Sequence, residues 1–299
     1  MLIFDEEQVR RRLSWSNLIP ALEQALIRLS RGEIRQPVRS VLPIPEHHGL
    51  FGLMPAVDGG LMGVKLVTVY ERNVGHPTHQ AVIQLFRAST GEPLAVMDGR
   101  LITEMRTAAV SAIATRLLAR PGSKTLTILG SGVQARSHLA ALRTIGDFPE
   151  VRIWSRTQEH ARRFAQECGG VAMKREEAIR GADIVVGVSG VGDSSASEPL
   201  IRGEWLAAHA FVAGVGAVGP AKRELDNAAL DAHVIVESRE AALKESGDIR
   251  DSNAPIYAEL GQVLAGDIPL PQGKRVVYKS LGVAAEDLAA ARLVYESGV

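Results

Sequence analysis

The segment Thr125-Leu-Thr-Ile-Leu129 is a short β-prone run that passes directly into Gly130-Ser-Gly-Val-Gln-Ala135 and then into an alanine-rich stretch. This order of strand, G-x-G-x-x-A turn and helix constrains the chain more than any other feature. Gly130 permits the tight turn, Gly132 lets the backbone approach a pyrophosphate, and Ala135 keeps helix and sheet close. The amino end of the helix then offers backbone N–H donors to the phosphates. The segment predicts a Rossmann dinucleotide-binding domain with Gly130, Ser131, Gly132, Val133, Gln134 and Ala135 at the cofactor.

The pattern around it agrees. Apolar strand-like runs at Thr125–Leu129, Val151–Trp154, Ile184–Val188, Ala210–Val215, Val234–Glu237 and Val276–Lys279 alternate with helical stretches. Such alternation predicts an α/β fold with a doubly wound parallel sheet covered on both faces. A helix is expected around Tyr257–Leu264, and a last one from Ala285 to Glu296 is expected to return to the first domain. Upstream, Leu18, Ala21, Leu22, Ala25, Leu26 and Leu29 keep the three-and-four spacing of an amphipathic helix over Ser16–Ser30, with Pro20 in its first turn and Gly32 as C-cap. Leu50–Val57, Met62–Tyr70, Ala81–Ala88 and Pro93–Met97 read as strands of a mostly antiparallel sheet. A helix from Thr103 to Ala119 follows, ended by Pro121-Gly122. The expected organisation is an α+β domain over residues 1–119, completed by 280–299, and a Rossmann domain over 120–279.

In a Rossmann domain the ribose 2′ position is read at the end of the second strand, where an enzyme using NAD usually carries Asp or Glu. Here Val151-Arg-Ile-Trp154 is followed by Ser155-Arg156-Thr157. A guanidinium with two hydroxyls suits a 2′-phosphate, so the expected cofactor is NADPH rather than NADH. Ser189, just past the strand Ile184–Val188, completes the cofactor candidates.

Bulk properties narrow the partners. Basic and acidic residues number 34 each, so no global field would hold nucleic acid or an anionic membrane. No apolar run is long enough for a membrane span. The opening MLIFDEEQVRRR places charge directly after a very short apolar patch, the wrong order for a secretory signal. The single cysteine, Cys168, leaves no disulfide framework and points to a reducing, cytoplasmic compartment. No metal site is expected.

Thr103 can cap a helix that would carry Arg106 in its first turn, where the positive end of the dipole already favours an anion, and this suggests a carboxylate receptor. The run Ala95-Val-Met-Asp-Gly-Arg-Leu-Ile-Thr-Glu-Met-Arg-Thr-Ala-Ala-Val-Ser-Ala-Ile-Ala-Thr115 resembles the ornithine cyclodeaminase/mu-crystallin family. So do Ile128–Ala135, Ser238–Asp248 and Lys279–Asp287, in order along nearly the whole chain. The resemblance is closest to the ketimine reductase branch. It implies a homodimer in which the first domain, with the C-terminal helix, makes the dimer interface and faces the nicotinamide across a cleft. It also implies that Arg39, Lys65 and Arg106 bind a substrate carboxylate, with Lys65 and Arg106 catalytic and Lys65 able to supply or relay a proton. His79 falls where the family has a polar residue near the substrate.

Two positions depart from the cyclodeaminases that the resemblance brings in. Those enzymes carry an acidic residue directly before Leu-Met-Pro, where this chain has Gly52, and a catalytic Asp where it has Val218. A valine exchanges no protons. The expected activity is therefore NAD(P)H-dependent reduction of a small cyclic imino acid, Δ1-pyrroline-2-carboxylate or Δ1-piperideine-2-carboxylate, to L-proline or L-pipecolate. The alternatives are an ornithine cyclodeaminase, an alanine or N-alkyl amino acid dehydrogenase, and a non-catalytic NADPH-dependent small-ligand-binding protein.

Overall fold

A computed structural model describes residues 1–190 and 198–297; the last two residues of the expected 280–299 segment lie outside them. The chain forms two units, 1–109 with 282–299, and 110–281. The division falls inside the helix Arg100–Leu118, whereas the sequence places its boundary after that helix ends.

The first unit is built on a seven-stranded sheet. Its strands are β1 (Leu2–Phe4), β2 (Ile34–Arg35), β3 (Ser40–Ile44), β4 (Gly49–Asp58), β5 (Leu61–Tyr70), β6 (His79–Arg87) and β7 (Pro93–Asp98). They run in the order β1-β7-β6-β5-β4-β2, with β3 also paired to β4. All pairs are antiparallel except β1 with β7. The helix Trp15–Ser30 starts at a capping box made by Ser14 and Asn17 and buries Leu18, Leu22, Ala25 and Leu26. The helix begins at Trp15, one residue before the sequence suggests, so Pro20 is its sixth residue and lies in the second turn and not the first. The C-terminal helix Ala284–Glu296 packs against Trp15–Ser30 and against β4 and β5, burying Leu288, Ala290, Ala291 and Val294.

The second unit holds an eight-stranded, wholly parallel sheet. Its strands are β8 (Thr125–Leu129), β9 (Glu150–Trp154), β10 (Val171–Ala172), β11 (Ile184–Gly187), β12 (Phe211–Gly214), β13 (His233–Val236), β14 (Ile256–Glu259) and β15 (Val276–Lys279). Their order is β10-β9-β8-β11-β12-β15-β13-β14. Strands β11, β12 and β15 are buried at every residue, which is why they read as continuous apolar runs. The chain reverses its winding between β8 and β11, the place where a doubly wound sheet opens a crevice at its carboxyl edge. One expected helix is corrected: of Tyr257–Leu264 only Leu260–Leu264 is helical, and Ile256–Glu259 pairs as an edge strand with β13. Among the described residues no helix is long and apolar enough to cross a membrane.

Candidate active site

In the first unit the site begins with a charge placed where the pleat calls for a core residue. Along β5, Leu61, Gly63 and Lys65 are buried while Met62 and Val64 are half-buried. Across the sheet Lys65 is flanked by Met54 and Ile83, both apolar and buried. Its ammonium pairs instead with the C-terminal helix, at 2.7 Å from Oδ2 of Asp287. Burial lowers the Lys65 pKa to about 8; Arg106 and Arg39 push the same way, and Asp287 opposes them.

Arg106 reaches the same two acids. Its Nε donates to Asp287 Oδ1 at 3.1 Å and its Nη1 to Glu286 Oε2 at 2.7 Å. Asp287 thus bridges Lys65 and Arg106, and all four side chains are buried. Glu286 and Asp287 occupy the first turn of their helix, where negative charge complements the dipole. Arg39, half-buried, donates from Nη2 to the carbonyl of Gly282 at 2.6 Å. Gly282 has φ +70°, and a Cβ built there would collide with Nη1 of Arg106, so a glycine leaves the guanidinium its place.

Two expectations about this region change. The helix carrying Arg106 begins at Arg100, and the Asp98 carboxylate accepts from Leu101 N at its start. Thr103 is therefore an interior residue whose hydroxyl donates to the Gly99 carbonyl, and Arg106 stands in the second turn, held by carboxylates and not by the helix terminus. His79 is the exposed first residue of β6, paired with Val69. It shares the sheet face of Lys65 but lies four residues along from Ile83, roughly 13 Å at the usual strand rise. The structure gathers Arg39, Lys65 and Arg106 and leaves His79 apart.

In the second unit the glycine turn has the shape that pyrophosphate binding requires. Gly130, at φ +150°, donates its N–H to the Trp154 carbonyl, and a Cβ there would meet Val188 at 3.0 Å. A Cβ at Gly132 would meet nothing within 4 Å, which leaves the backbone open to close approach. Gly132 is the N-cap of the helix Val133–Leu142, and no side chain caps it, so the N–H groups of the first turn face outward as an anion site does. Val133 is exposed, Gln134 half-buried, and Ala135 fully packed against the sheet. The Ser131 hydroxyl is 2.8 Å from that of Ser155, which ties the turn to the end of β9. Arg156 and Thr157 follow, both exposed. Ser189 is half-buried beyond β11, with its carbonyl against Gly216. These residues fit a dinucleotide. His138, one turn along the helix, is buried between the Gln134 carbonyl and the Ser111 hydroxyl, and burial lowers its pKa to about 4.

The family model described as ornithine cyclodeaminase/mu-crystallin matches residues 2–299. The chain belongs to the ornithine cyclodeaminase/mu-crystallin family. The ketimine reductase mu-crystallin of Mus musculus is 48% identical over 97% of this chain and 95% of its own length. The structure of the Thermococcus litoralis Delta(1)-pyrroline-2-carboxylate reductase in complex with NADH and L-proline matches with TM-score 0.92 and 31% identity, covering 100% of this chain and 97% of that one. An archaeal alanine dehydrogenase dimer with bound NAD matches with TM-score 0.93 and 30% identity, over 100% and 96% of the two chains.

Within this family member, position 52 lies on the Lys65 face of the sheet, since Gly52 pairs with Val67 and Met54 with Lys65. An acid there would project onto the face that holds the cations. Val218 follows β12 and is exposed. The loop before it is fixed by a second buried ionic group that sequence reasoning missed. Glu224 accepts from Gly216 N at 3.0 Å and Ala217 N at 3.1 Å, and Lys279 pairs with Glu224 at 2.6 Å and Asp248 at 3.2 Å. Burial, with Asp248 nearby, raises the Glu224 pKa; burial pulls Lys279 down, but the two carboxylates outweigh it and leave it raised. Glu286 and Asp287 were missed as well. The signal for them was two adjacent acids in an otherwise apolar stretch, Ala-Ala-Glu-Asp-Leu-Ala-Ala-Ala.

Proposed function

We propose that this protein uses NADPH to reduce Δ1-pyrroline-2-carboxylate or Δ1-piperideine-2-carboxylate at carbon 2, giving L-proline or L-pipecolate. It is an NAD(P)H-dependent oxidoreductase acting on C=N bonds. The observation that carries the finer reading is the cluster of buried Lys65 and Arg106 with half-buried Arg39, a cationic receptor for an acid. The same reading is supported by the names of the relatives, a ketimine reductase and a pyrroline-2-carboxylate reductase seen with NADH and L-proline.

The nicotinamide supplies the hydride. The chain's own residues hold the substrate carboxylate against Arg106 and Arg39, which fixes carbon 2 for attack. The protonated imine is the electrophile, and its N–H proton stays with the product amine. Lys65, with its pKa near 8, is the group able to keep that nitrogen protonated. NADPH is favoured by Ser155-Arg156-Thr157, where no carboxylate opposes a 2′-phosphate.

A cytoplasmic homodimer belongs to the same reading. The sheet face opposite Lys65 carries a cross-strand row of Leu53, Leu66 and Val82, with Leu53 36% and Val82 44% exposed. An open depression of about 430 Å³ lies on that face, lined in part by Phe51, Leu66 and Val82. Apolar exposure of this kind on a sheet suits a second copy. The testing experiment is a reduction panel of five-ring, six-ring and open-chain imines, following loss of NADPH absorbance. Fastest turnover of an open-chain imine would favour an amino acid dehydrogenase, and no turnover of any imine would refute the proposal.

A further inference from the structure

We infer that the buried group of Glu224, Lys279 and Asp248 positions the nicotinamide half of the cofactor, by holding the loop after β12 in one shape at the open edge of the parallel sheet. The inference rests on the reading of the second unit as a dinucleotide site and not on the choice of imine. A dinucleotide lies across the carboxyl edge of a doubly wound sheet where the winding reverses, one half on each side. Here that point falls between β8 and β11. Ser155 to Thr157, which read the ribose, follow β9, so the adenosine half belongs on the β9 side and the nicotinamide half on the side of β11 and β12.

At that edge the sheet makes room for a carboxylate. Gly187 and Gly214 pair with each other at the last positions of β11 and β12. A Cβ at Gly187 would stand 2.8 Å from Glu224 Oε2, and one at Gly214 would stand 3.2 Å from Oε1. A Cβ at Gly216 would be 3.1 Å from Oε2 and would collide with the Ser189 carbonyl. Glu224 fills the space these glycines leave and accepts from Gly216 N and Ala217 N. Lys279 Nζ donates to the Ala217 carbonyl at 2.8 Å while pairing with Glu224 and Asp248. Asp248, on the helix Gly247–Ser252, accepts from Glu224 N and Leu225 N at 2.9 Å and so fixes the segment that carries Glu224. Two N–H groups and one carbonyl of the loop are thereby turned inward, and the next residue, Val218, is exposed and apolar. Three fully buried charges are a poor source of stability, because desolvation offsets most of their attraction. What the arrangement supplies is a loop tied at three backbone atoms and set against Ser189, on the side of the crevice where the nicotinamide ring must be held still for hydride transfer.

The test reads the ring itself. The lifetime and anisotropy of nicotinamide fluorescence are measured for bound NADPH, together with the affinity for 2′-phospho-ADP-ribose, which keeps every part of the cofactor except the nicotinamide. NADH and ADP-ribose are run in parallel. In wild-type protein the bound ring is expected to be rigid on the nanosecond scale. In Glu224→Gln, which leaves Lys279 paired with Asp248, the lifetime should fall by about half and kcat for imine reduction roughly tenfold to a hundredfold, with affinity for the nicotinamide-free ligand within about twofold of wild type. Gly214→Ala keeps every charge and crowds the carboxylate, so it should move the fluorescence the same way. A merely structural role would weaken both ligands together, or lower thermal stability with the bound ring unchanged, and either result overturns the inference. A ring already mobile in wild-type protein overturns it without any variant having to fold. So do Gly216 and Ala217 amide protons that exchange as fast as those of an open loop when no cofactor is bound. A rigid ring loosened by both variants, in a protein that reduces no imine, would refute the proposed reaction and leave this inference standing. The same result with NADH alone would refute only the preference for NADPH.

Discussion

Replacing Arg106 with lysine keeps the charge and removes the geometry. In the structure the guanidinium uses Nε on Asp287 and Nη1 on Glu286, so a lysine, with a single mobile ammonium, satisfies at most part of this set. The buried acid left without its partner should cost stability by about 1.5 to 3 kcal/mol, the usual value of a hydrogen bond to a charged group. The effect on reaction is larger. A planar carboxylate gripped through two parallel bonds loses both its pairing and its orientation when the fork becomes a point charge. Loss of such a pair in a closed site costs about 2 to 5 kcal/mol, or roughly 30-fold to several thousand-fold in kcat/KM. The fall should appear in kcat as well as KM, because a carboxylate free to rotate misaligns carbon 2. The assay is steady-state reduction of the best cyclic imine by Arg106→Lys, with NADPH affinity measured separately by fluorescence titration and folding by thermal denaturation. NADPH affinity should be unchanged, since the glycine turn belongs to the other unit. Turnover close to wild type, or collapse of NADPH affinity with normal imine kinetics, would refute the reasoning.

Three further outcomes are expected. Lys65 has its pKa lowered to about 8, so kcat/KM should fall as pH rises through about 8 when the ammonium is lost; Lys65→Arg should move that limb upward, and a profile flat well above pH 8 would remove Lys65 from the step. For stability the sign is opposite: the folded state sheds this proton before the unfolded state does, so this group alone makes the fold more stable as pH rises from about 8 towards the ordinary lysine value of 10.5. Arg156→Ala should raise the KM for NADPH far more than that for NADH, because a charge-assisted contact to a phosphate is worth about 1.5 to 3 kcal/mol, and equal effects would overturn the 2′-phosphate assignment. Ornithine should not be converted to proline and ammonia above background, given Gly52 on the Lys65 face and Val218 after β12; conversion at the rate of imine reduction would contradict this.

The parallel sheet was legible because its central strands are buried on both faces and leave unbroken apolar runs, and because Gly130 to Ala135 admits little but a strand-to-helix turn. The edge was less legible: Tyr257 and Ala258 lie in a short strand whose apolar residues read equally well as the start of the next helix. Arg106 was picked out, but for a reason the structure changes. Thr103 looks like a cap, yet Asp98 takes that part and the helix begins three residues sooner. Glu286, Asp287, Glu224, Asp248 and Lys279 escaped notice because each is explained by a partner distant in sequence, and local spacing carries no record of such pairing. The exposed Leu53 and Val82 sit at alternating strand positions that read as ordinary amphipathic pattern until the register aligns them in one row.

The most direct test of the account is to incubate the protein with Δ1-piperideine-2-carboxylate and NADPH and to follow the product by chiral chromatography together with the NADPH consumed. The account predicts L-pipecolate, with one NADPH used for each molecule formed, and the same stoichiometry for L-proline from the five-membered imine. Racemic product would show that the imine face is not fixed by the carboxylate receptor, and absence of product from both rings would contradict the account at its centre.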